Sequence, residues 1–370
     1  MLLVSNLKTS RSLRLAIALV ISFALFYPVY AGWTPTIHSL SQSNKASWPQ
    51  PSEPTATSSA SSSSHVTPED PLLSDSKIRP PRPDTSSYNI PEKVWHSAKY
   101  DNITEIQREW ISSWTKKNPC RQELLTDRSS ETFVRAHFYE TRPDIVEVYE
   151  AIPIPIFRAD LLRYLIILAE GGTWSDLDVT CDKQISDWVP LEYKHQKIDM
   201  VVGLEFDFAW RGPGAAIASQ FCNWVFMARP SSRNLLVIVD SVVAKLKEIA
   251  GANGVPISGI TLDMLPVDVV DVTGPKIMTV AILESLGQLL GRTVDDRDFS
   301  GIKQPKLLGD VLIIPGNSFA ARQNGYPTDQ GDTLVTHHYE GSWKQADSEA
   351  KERKKQKEKE PESKENTATG

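Results

Sequence analysis

The sequence has little that could hold a domain together covalently. Its 370 residues include three cysteines, Cys120, Cys181 and Cys222, which is too few for a disulfide framework. In an oxidising compartment one pair can form, and at least one thiol is left over. Excess positive charge is also missing. The formal net charge is −6 and the pI is near 5.7. That excludes a general nucleic-acid binder, which needs a basic field. There is no internal repeat and no second apolar run of membrane-spanning length. The one such run, Leu15–Trp33, is 19 residues long, just the length of a membrane-spanning helix.

What is present divides the chain into five segments. Lys8, Arg11 and Arg14 precede the apolar run and no acidic residue does. Positive charge on that side keeps the N-terminus in the cytosol. Residues 1–14 therefore read as a cytoplasmic tail and 15–33 as a transmembrane signal-anchor, with the body in the lumen of the secretory pathway. The alternative is a cleaved signal peptide, with Val29-Tyr30-Ala31 at the cut; both readings place the body on the same side. Residues 34–87 are dominated by Ser, Thr and Pro, with a Ser61–Ser64 run and Pro80-Pro81. Such a segment cannot build a core and is expected to form a disordered stem. Residues 345–370 are rich in Lys and Glu and read as a charged, solvated tail.

Residues 88–344 remain as one domain, large enough to bury a core. Short apolar runs at Lys93–Trp95, Thr173–Val179, Met200–Glu205, Asp268–Val272 and Val311–Pro315 predict strands. Ile103–Lys116, Phe157–Glu170, Ser232–Ala250 and Ile277–Leu290 predict helices. Alternation of the two predicts an α/β fold with a largely parallel sheet. Asn102-Ile103-Thr104 is an N-glycosylation acceptor triplet, usable in a luminal protein.

The most informative stretch is Phe157–Cys181. Phe157, Leu161, Leu165 and Leu168 fall at helical spacing, and Gly171-Gly172 stops the helix. A strand is predicted to follow, with Asp176 and Asp178 two apart. If it stays extended, both carboxylates point to one side. Two like charges so placed are tolerable where a cation lies between them or where water reaches them. Hard divalent ions take oxygen ligands, and Mg²⁺ or Mn²⁺ sites use one or two carboxylates plus substrate phosphates. An Asp-x-Asp triplet alone is common, and a solvated strand end is the plainer reading.

The wider pattern is more specific. Arg-Ala-Asp-x-x-Arg-Tyr from Arg158, followed by Gly-Gly-x-x-x-Asp-x-Asp, resembles glycosyltransferase family 32, the Asp-x-Asp sugar-binding family. Within it the pattern is similar to the initiation-specific α-1,6-mannosyltransferases of the Och type, single-pass type II Golgi membrane enzymes of fungi. Further matches follow in order: Ile90–His96, Gln220–Pro230 with Trp224, Thr273-Gly274-Pro275, Val335–His338 and Gly341-Ser342-Trp343. The resemblance spans about 90–344. Thr173-Trp174 departs from it, standing where the family often has an aliphatic residue and Tyr.

The resemblance implies a GT-A, Rossmann-like domain and a metal-dependent, retaining transfer of mannose from GDP-mannose to a glycan mannose. Asp178 would ligate Mn²⁺ or Mg²⁺, and Asp176 the metal or the ribose. Asp160 and Arg163 would bond the donor sugar, and their plainer reading is a surface ion pair three residues apart. Arg158 would reach the phosphates or stay exposed. Trp95 would line the base pocket or pack in the core. His337 or His338 would complete the metal shell, with His337 preferred. Gly274 would admit the substrate or only start a helix, and Trp343 would close over the donor or plug the domain. Glu205 and Asp207 are candidates for the acceptor side. The implied partners are a nucleotide sugar, a glycan acceptor on a glycoprotein or glycolipid, and a mannosyltransferase complex. Rival readings are a sphingolipid (inositol phosphoceramide) mannosyltransferase and a non-catalytic subunit of such a complex.

Overall fold

The computed structural model describes residues 89–208, 217–266, 268–321 and 329–341. The expected anchor, stem and tail, and Trp343, lie outside them. The first described strand is β1 (Lys93–Ala98), and Thr104 then starts helix α1 (Glu105–Lys117) with a full capping box to Gln107. The box satisfies two of the orphan donors at the helix start. Strand β2 (Arg121–Thr126) returns parallel to β1. Thr126 caps helix α2 (Asp127–Phe138), which is followed by α3 (Pro143–Ala151) and α4 (Pro155–Glu170).

Helix α4 buries residues on every side, from Phe157 through Leu168, because it runs through the core rather than over it. It ends at Gly171 with φ +65°, and Gly172 has φ +104°. A Cβ on Gly171 would lie 2.6 Å from the Pro230 ring, and one on Gly172 2.7 Å from the Lys93 carbonyl oxygen. Both the dihedrals and the close approach exclude any larger residue. The chain then enters β3 (Gly172–Ser175) and β4 (Val179–Cys181).

Beyond these come β5 (Met200–Asp207), β6 (Ser219–Phe221), β7 (Val225–Ala228), α5 (Arg233–Ala252), the short α6 (Val269–Val272) and α7 (Pro275–Leu290). The last described elements are β8 (Lys306–Leu308), β9 (Val311–Ile314), α8 (Gly316–Ala320) and β10 (Val335–His337). The main sheet has the order β2-β1-β3-β7-β5-β9-β8, with β6 paired to β5, and β10 pairs with β4 separately. One apolar cluster packs α2–α5 and α7 on one face, and a second, around Trp114, Trp188 and Phe319, covers the other.

The α/β expectation holds, with three corrections. The sheet is mixed: β3–β7, β5–β7 and β8–β9 are antiparallel. Short connections such as the two-residue turn Gly309-Asp310 between β8 and β9 return the chain without a crossover helix, and that geometry is antiparallel. Asp268–Val272 is a helical turn rather than a strand, because Val269 and Val272, three apart, are the residues that are buried. Thr173–Val179 is two strands, because β3 joins the main sheet while β4 leaves it to pair with β10. Cys120, Cys181 and Cys222 are all free thiols.

Candidate active site

The break between β3 and β4 builds the site. Residues 176–178 form a turn rather than an extended strand, so the two carboxylates diverge instead of lying side by side. Asp176 accepts a hydrogen bond from Trp174 Nε1 at 2.8 Å and faces Arg163 at 3.4 Å. Burial, with Asp178 nearby, pushes its carboxyl up to about 6 although Arg163 pulls it down. Asp178 turns to the C-terminal segment. Its Oδ2 accepts from the Glu340 amide at 2.9 Å and lies 3.3 Å from His337 Nε2, and its carbonyl accepts from the His338 amide at 2.8 Å. Burial works against its charge, yet His337 and the Glu340 amide hold the carboxyl below its ordinary range.

Under this turn lies a buried network on α4. Asp160 and Arg163 are one turn apart and 3.2 Å from each other. They are not a surface pair, with side chains only 5% and 7% exposed. Asp160 accepts from Asn223 Nδ2 at 3.1 Å and Thr273 Oγ1 at 2.8 Å. Arg163 donates to the Asn223 carbonyl at 2.9 Å and lies over the Trp174 ring at 5.7 Å. Burial raises the Asp160 carboxyl, and Arg163, Thr273 and Asn223 each oppose that rise. Asn223 and Thr273 escape single-residue reading. The only signal for them was their place in the Gln220–Pro230 and Thr273-Gly274-Pro275 segments.

Asp160, Arg163, Asp176, Asp178, Gly274 and His337 all line one cleft of about 340 Å³. It opens into a second cavity of about 620 Å³, sharing Ser97, Gln107 and Leu177 with it. Both lie beyond the carboxyl ends of the parallel strands β1–β3, where α/β sheets place their ligands. Glu205, near the end of β5, lines the smaller cleft and is held by Gln220 at 2.7 Å. Asp207 instead accepts from Ser219, Ser300 and the Gly301 amide.

The remaining candidates are placed as follows. Trp95 is core: its indole donates to the Gly171 carbonyl at 3.0 Å and its ring meets Phe133, with neither cavity beside it. Arg158 lines the larger cavity, pairs with Glu131 and lies 5.0 Å over Tyr149. Gly274 precedes α7, and a Cβ there would meet the Val270 backbone at 3.0 Å. His338 is turned away from the cleft, stacked on Trp110 at 4.4 Å and 3.2 Å from Thr180. Asn102 is exposed at the mouth of the larger cavity.

Among the described residues no group of three or more His, Cys, Asp or Glu is arranged to hold a metal. Asp178 and His337 nonetheless fit a hard divalent cation that takes most of its other ligands from substrate phosphates and water. His337 Nδ1 is buried without a hydrogen-bond partner. Its ring is held at 4.6 Å from Trp224 and 3.9 Å from Tyr339.

Residues 104–194 match the family described as "Glycosyltransferase sugar-binding region containing DXD motif". The chain is similar to the initiation-specific α-1,6-mannosyltransferase of Schizosaccharomyces pombe, at 28% identity over 69% of its length and 64% of the relative. It thus spans just under two thirds of that protein. The Candida albicans enzyme of the same name is 26% identical over 71% of this chain and 74% of its own. A mannosyl phosphorylinositol ceramide synthase of Saccharomyces cerevisiae is 27% identical, but over only 30% of this chain and 31% of its own.

Proposed function

We propose that this protein is a metal-dependent, retaining glycosyltransferase that moves mannose from GDP-mannose to a mannose hydroxyl of a protein N-glycan outer chain, in the manner of the α-1,6-mannosyltransferases it resembles. The observation that carries the reading is the meeting in one cleft beyond the strand ends of Asp160, Arg163, Asp176 and Asp178, all inside the segment that matches the DXD family, with His337 from outside it. The breadth of the similarity to the α-1,6-mannosyltransferases favours the glycan acceptor. The ceramide-type relative matches a much shorter stretch.

Asp178 and His337 would hold Mn²⁺ or Mg²⁺, which supplies positive charge to the departing diphosphate. Asp160 offers acceptor oxygens to the donor sugar hydroxyls at the cleft floor. Arg163 neutralises the paired acids around it and holds their orientation, so the site is preorganised before substrate arrives. Glu205 faces the side from which an acceptor hydroxyl enters. The bond from the anomeric carbon to the leaving phosphate oxygen breaks, and the acceptor oxygen bonds that carbon on the same face. The acceptor proton passes to the departing phosphate. No protein nucleophile is required, and a product of inverted anomeric configuration would refute this scheme.

The protein is proposed to act as a single-pass type II protein of the Golgi membrane with its domain in the lumen, glycosylated at Asn102 and working within a mannosyltransferase complex. The test is transfer by the purified chain, offered GDP-mannose or UDP-sugars, with Mn²⁺ or EDTA. Mannose-terminated glycans and inositol phosphoceramide serve as acceptors, with Asp178→Ala beside it. The expected result is Mn²⁺-dependent transfer to the glycan that Asp178→Ala loses. Transfer to the lipid alone selects the ceramide reading. A folded chain that turns over no donor leaves the role of a non-catalytic subunit.

A further inference from the structure

The larger cavity has a lining that the reading above does not use. Its walls are mostly apolar, built by Ile152 and Ile154 on the loop between α3 and α4, Ile156 in the first turn of α4, and Leu262. At about 620 Å³ it is of the size that small-molecule ligands fill. Asp127 is the only carboxylate among its lining residues. It is the first residue of α2, directly after β2, at the end of a strand parallel to β1. Ser97 and Ala98, at the matching end of β1, line the same space. Two cations line the same cavity: Arg158 pairs with Glu131, and Lys99 lies 5.2 Å over the Tyr100 ring.

We infer that Asp127 reads the base of the nucleotide donor, its carboxylate accepting hydrogen bonds from the N1–H and 2-amino group of a guanine seated in this cavity. Guanine presents two adjacent donors on that edge, and a carboxylate is acceptor-only. Uracil presents a carbonyl on each side of its single N–H, which would set an oxygen against the carboxylate. The same residue therefore favours a guanosine diphosphate and disfavours a uridine diphosphate. The inference rests on the nucleotide-sugar reading and names the residue that selects its guanine.

The test is direct binding to the full chain by calorimetry, in Mn²⁺, with GDP, inosine diphosphate and UDP as probes. Inosine diphosphate keeps N1–H and lacks the 2-amino group. The wild type is expected to bind GDP about tenfold or more tightly than inosine diphosphate, with UDP weaker still, as a hydrogen bond to a charged partner implies. Asp127→Asn should weaken GDP about ten- to a hundredfold and erase its preference over inosine diphosphate. UDP affinity should not fall. Asp127 is exposed, so the variant keeps its fold, and the wild-type preference stands as a measurement that needs no variant. Tighter binding of UDP than GDP by the wild type overturns the inference together with the GDP donor, and leaves only the coarser nucleotide-sugar reading. Undiminished GDP binding by Asp127→Asn overturns the inference alone. Failure to bind any of the three removes both.

Discussion

Two clusters of buried charge sit at opposite ends of the same sheet, built from the same residue types. At the amino ends, Asp199 precedes β5 and Asp310 precedes its parallel neighbour β9. Asp199 accepts from Arg229 at 3.0 Å, Asn234 Nδ2 at 2.7 Å and the Ser232 hydroxyl. Asp310 is held by Arg233 at 3.3 Å and Asn234 at 3.2 Å. At the carboxyl ends stand Asp160, Arg163, Asp176 and Asp178. Each cluster leaves one guanidinium Nε without a partner, on Arg229 and on Arg163, so an orphan nitrogen does not by itself mark a site. What separates the clusters is the cleft. The second borders a cavity and has a carboxyl raised to about 6, while the first closes on itself. Buried charge that is closed locks a fold, and buried charge beside open space can bind.

Removing one carboxylate from each cluster would break that contrast most sharply. Asp178→Ala should cut transfer by about 10³-fold, the scale of losing a preorganised charge contact in a reacting site. Its melting temperature should move by only a few degrees. Asp199→Ala should do the reverse. It strands Arg229 and takes from Asn234 the nearer of its two acceptors, at a cost of about 3–5 kcal/mol, on the order of 10 °C in a domain of this size. Its turnover per folded molecule should stay near wild type. Calorimetry and initial rates on both variants decide the matter. An inactive but stable Asp199→Ala would sink the distinction.

The open cluster was far more legible in sequence than the closed one. Asp160, Arg163, Asp176 and Asp178 stand close together in the chain, and the family resemblance of that one stretch singled them out, where spacing and Gly-Gly alone left a solvated strand end as the plainer reading. Asp199, Arg229, Asn234 and Asp310 are distant in sequence, and only the register of β5 against β9 brings them together. The sheet's mixed character was hidden for a related reason. Pairing partners such as β3 and β7 are set by where turns return the chain, and apolar runs alone carry no direction. Trp95 shows the other limit. Its position beside a predicted strand end suited a base pocket equally well, and only the contact with Gly171 assigns it to the core.

His96 joins the closed and open regimes and sharpens the comparison by pH. It is fully buried in β1. Gln122 Nε2 lies 2.8 Å from its Nε2, which leaves the ring proton on Nδ1 to donate to the Ser175 carbonyl at 2.8 Å, one residue before Asp176. Burial lowers its pKa from 6.5 to about 4. The unfolded chain thus binds the proton first. Stability present above pH 6.5 is lost as the pH falls towards 4, by about 2 kcal/mol between pH 7 and 5. Asp176, raised to about 6, pulls the opposite way in the overlapping window. The measurement is therefore the difference between wild type and His96→Gln in denaturant midpoint across pH. A difference that does not change with pH would show that His96 carries no such burden.

The smallest effect belongs to a third kind of pair, charged like the others but set in water. Arg108 and Glu105 face each other on α1 at 3.5 Å, with side chains 57% and 91% exposed. Water and salt screen them, and holding two long side chains in one geometry costs rotamer freedom. The pair's net contribution is therefore about 0.5 kcal/mol or less. Arg108→Ala should shift the melting temperature by no more than about 2 °C and leave transfer unchanged. The partners match those of Asp160 and Arg163 in charge, in spacing of three residues, and nearly in distance. A large loss of stability in Arg108→Ala would mean that spacing and charge set the value of a pair. The expected near-silence assigns that value to the solvent around it.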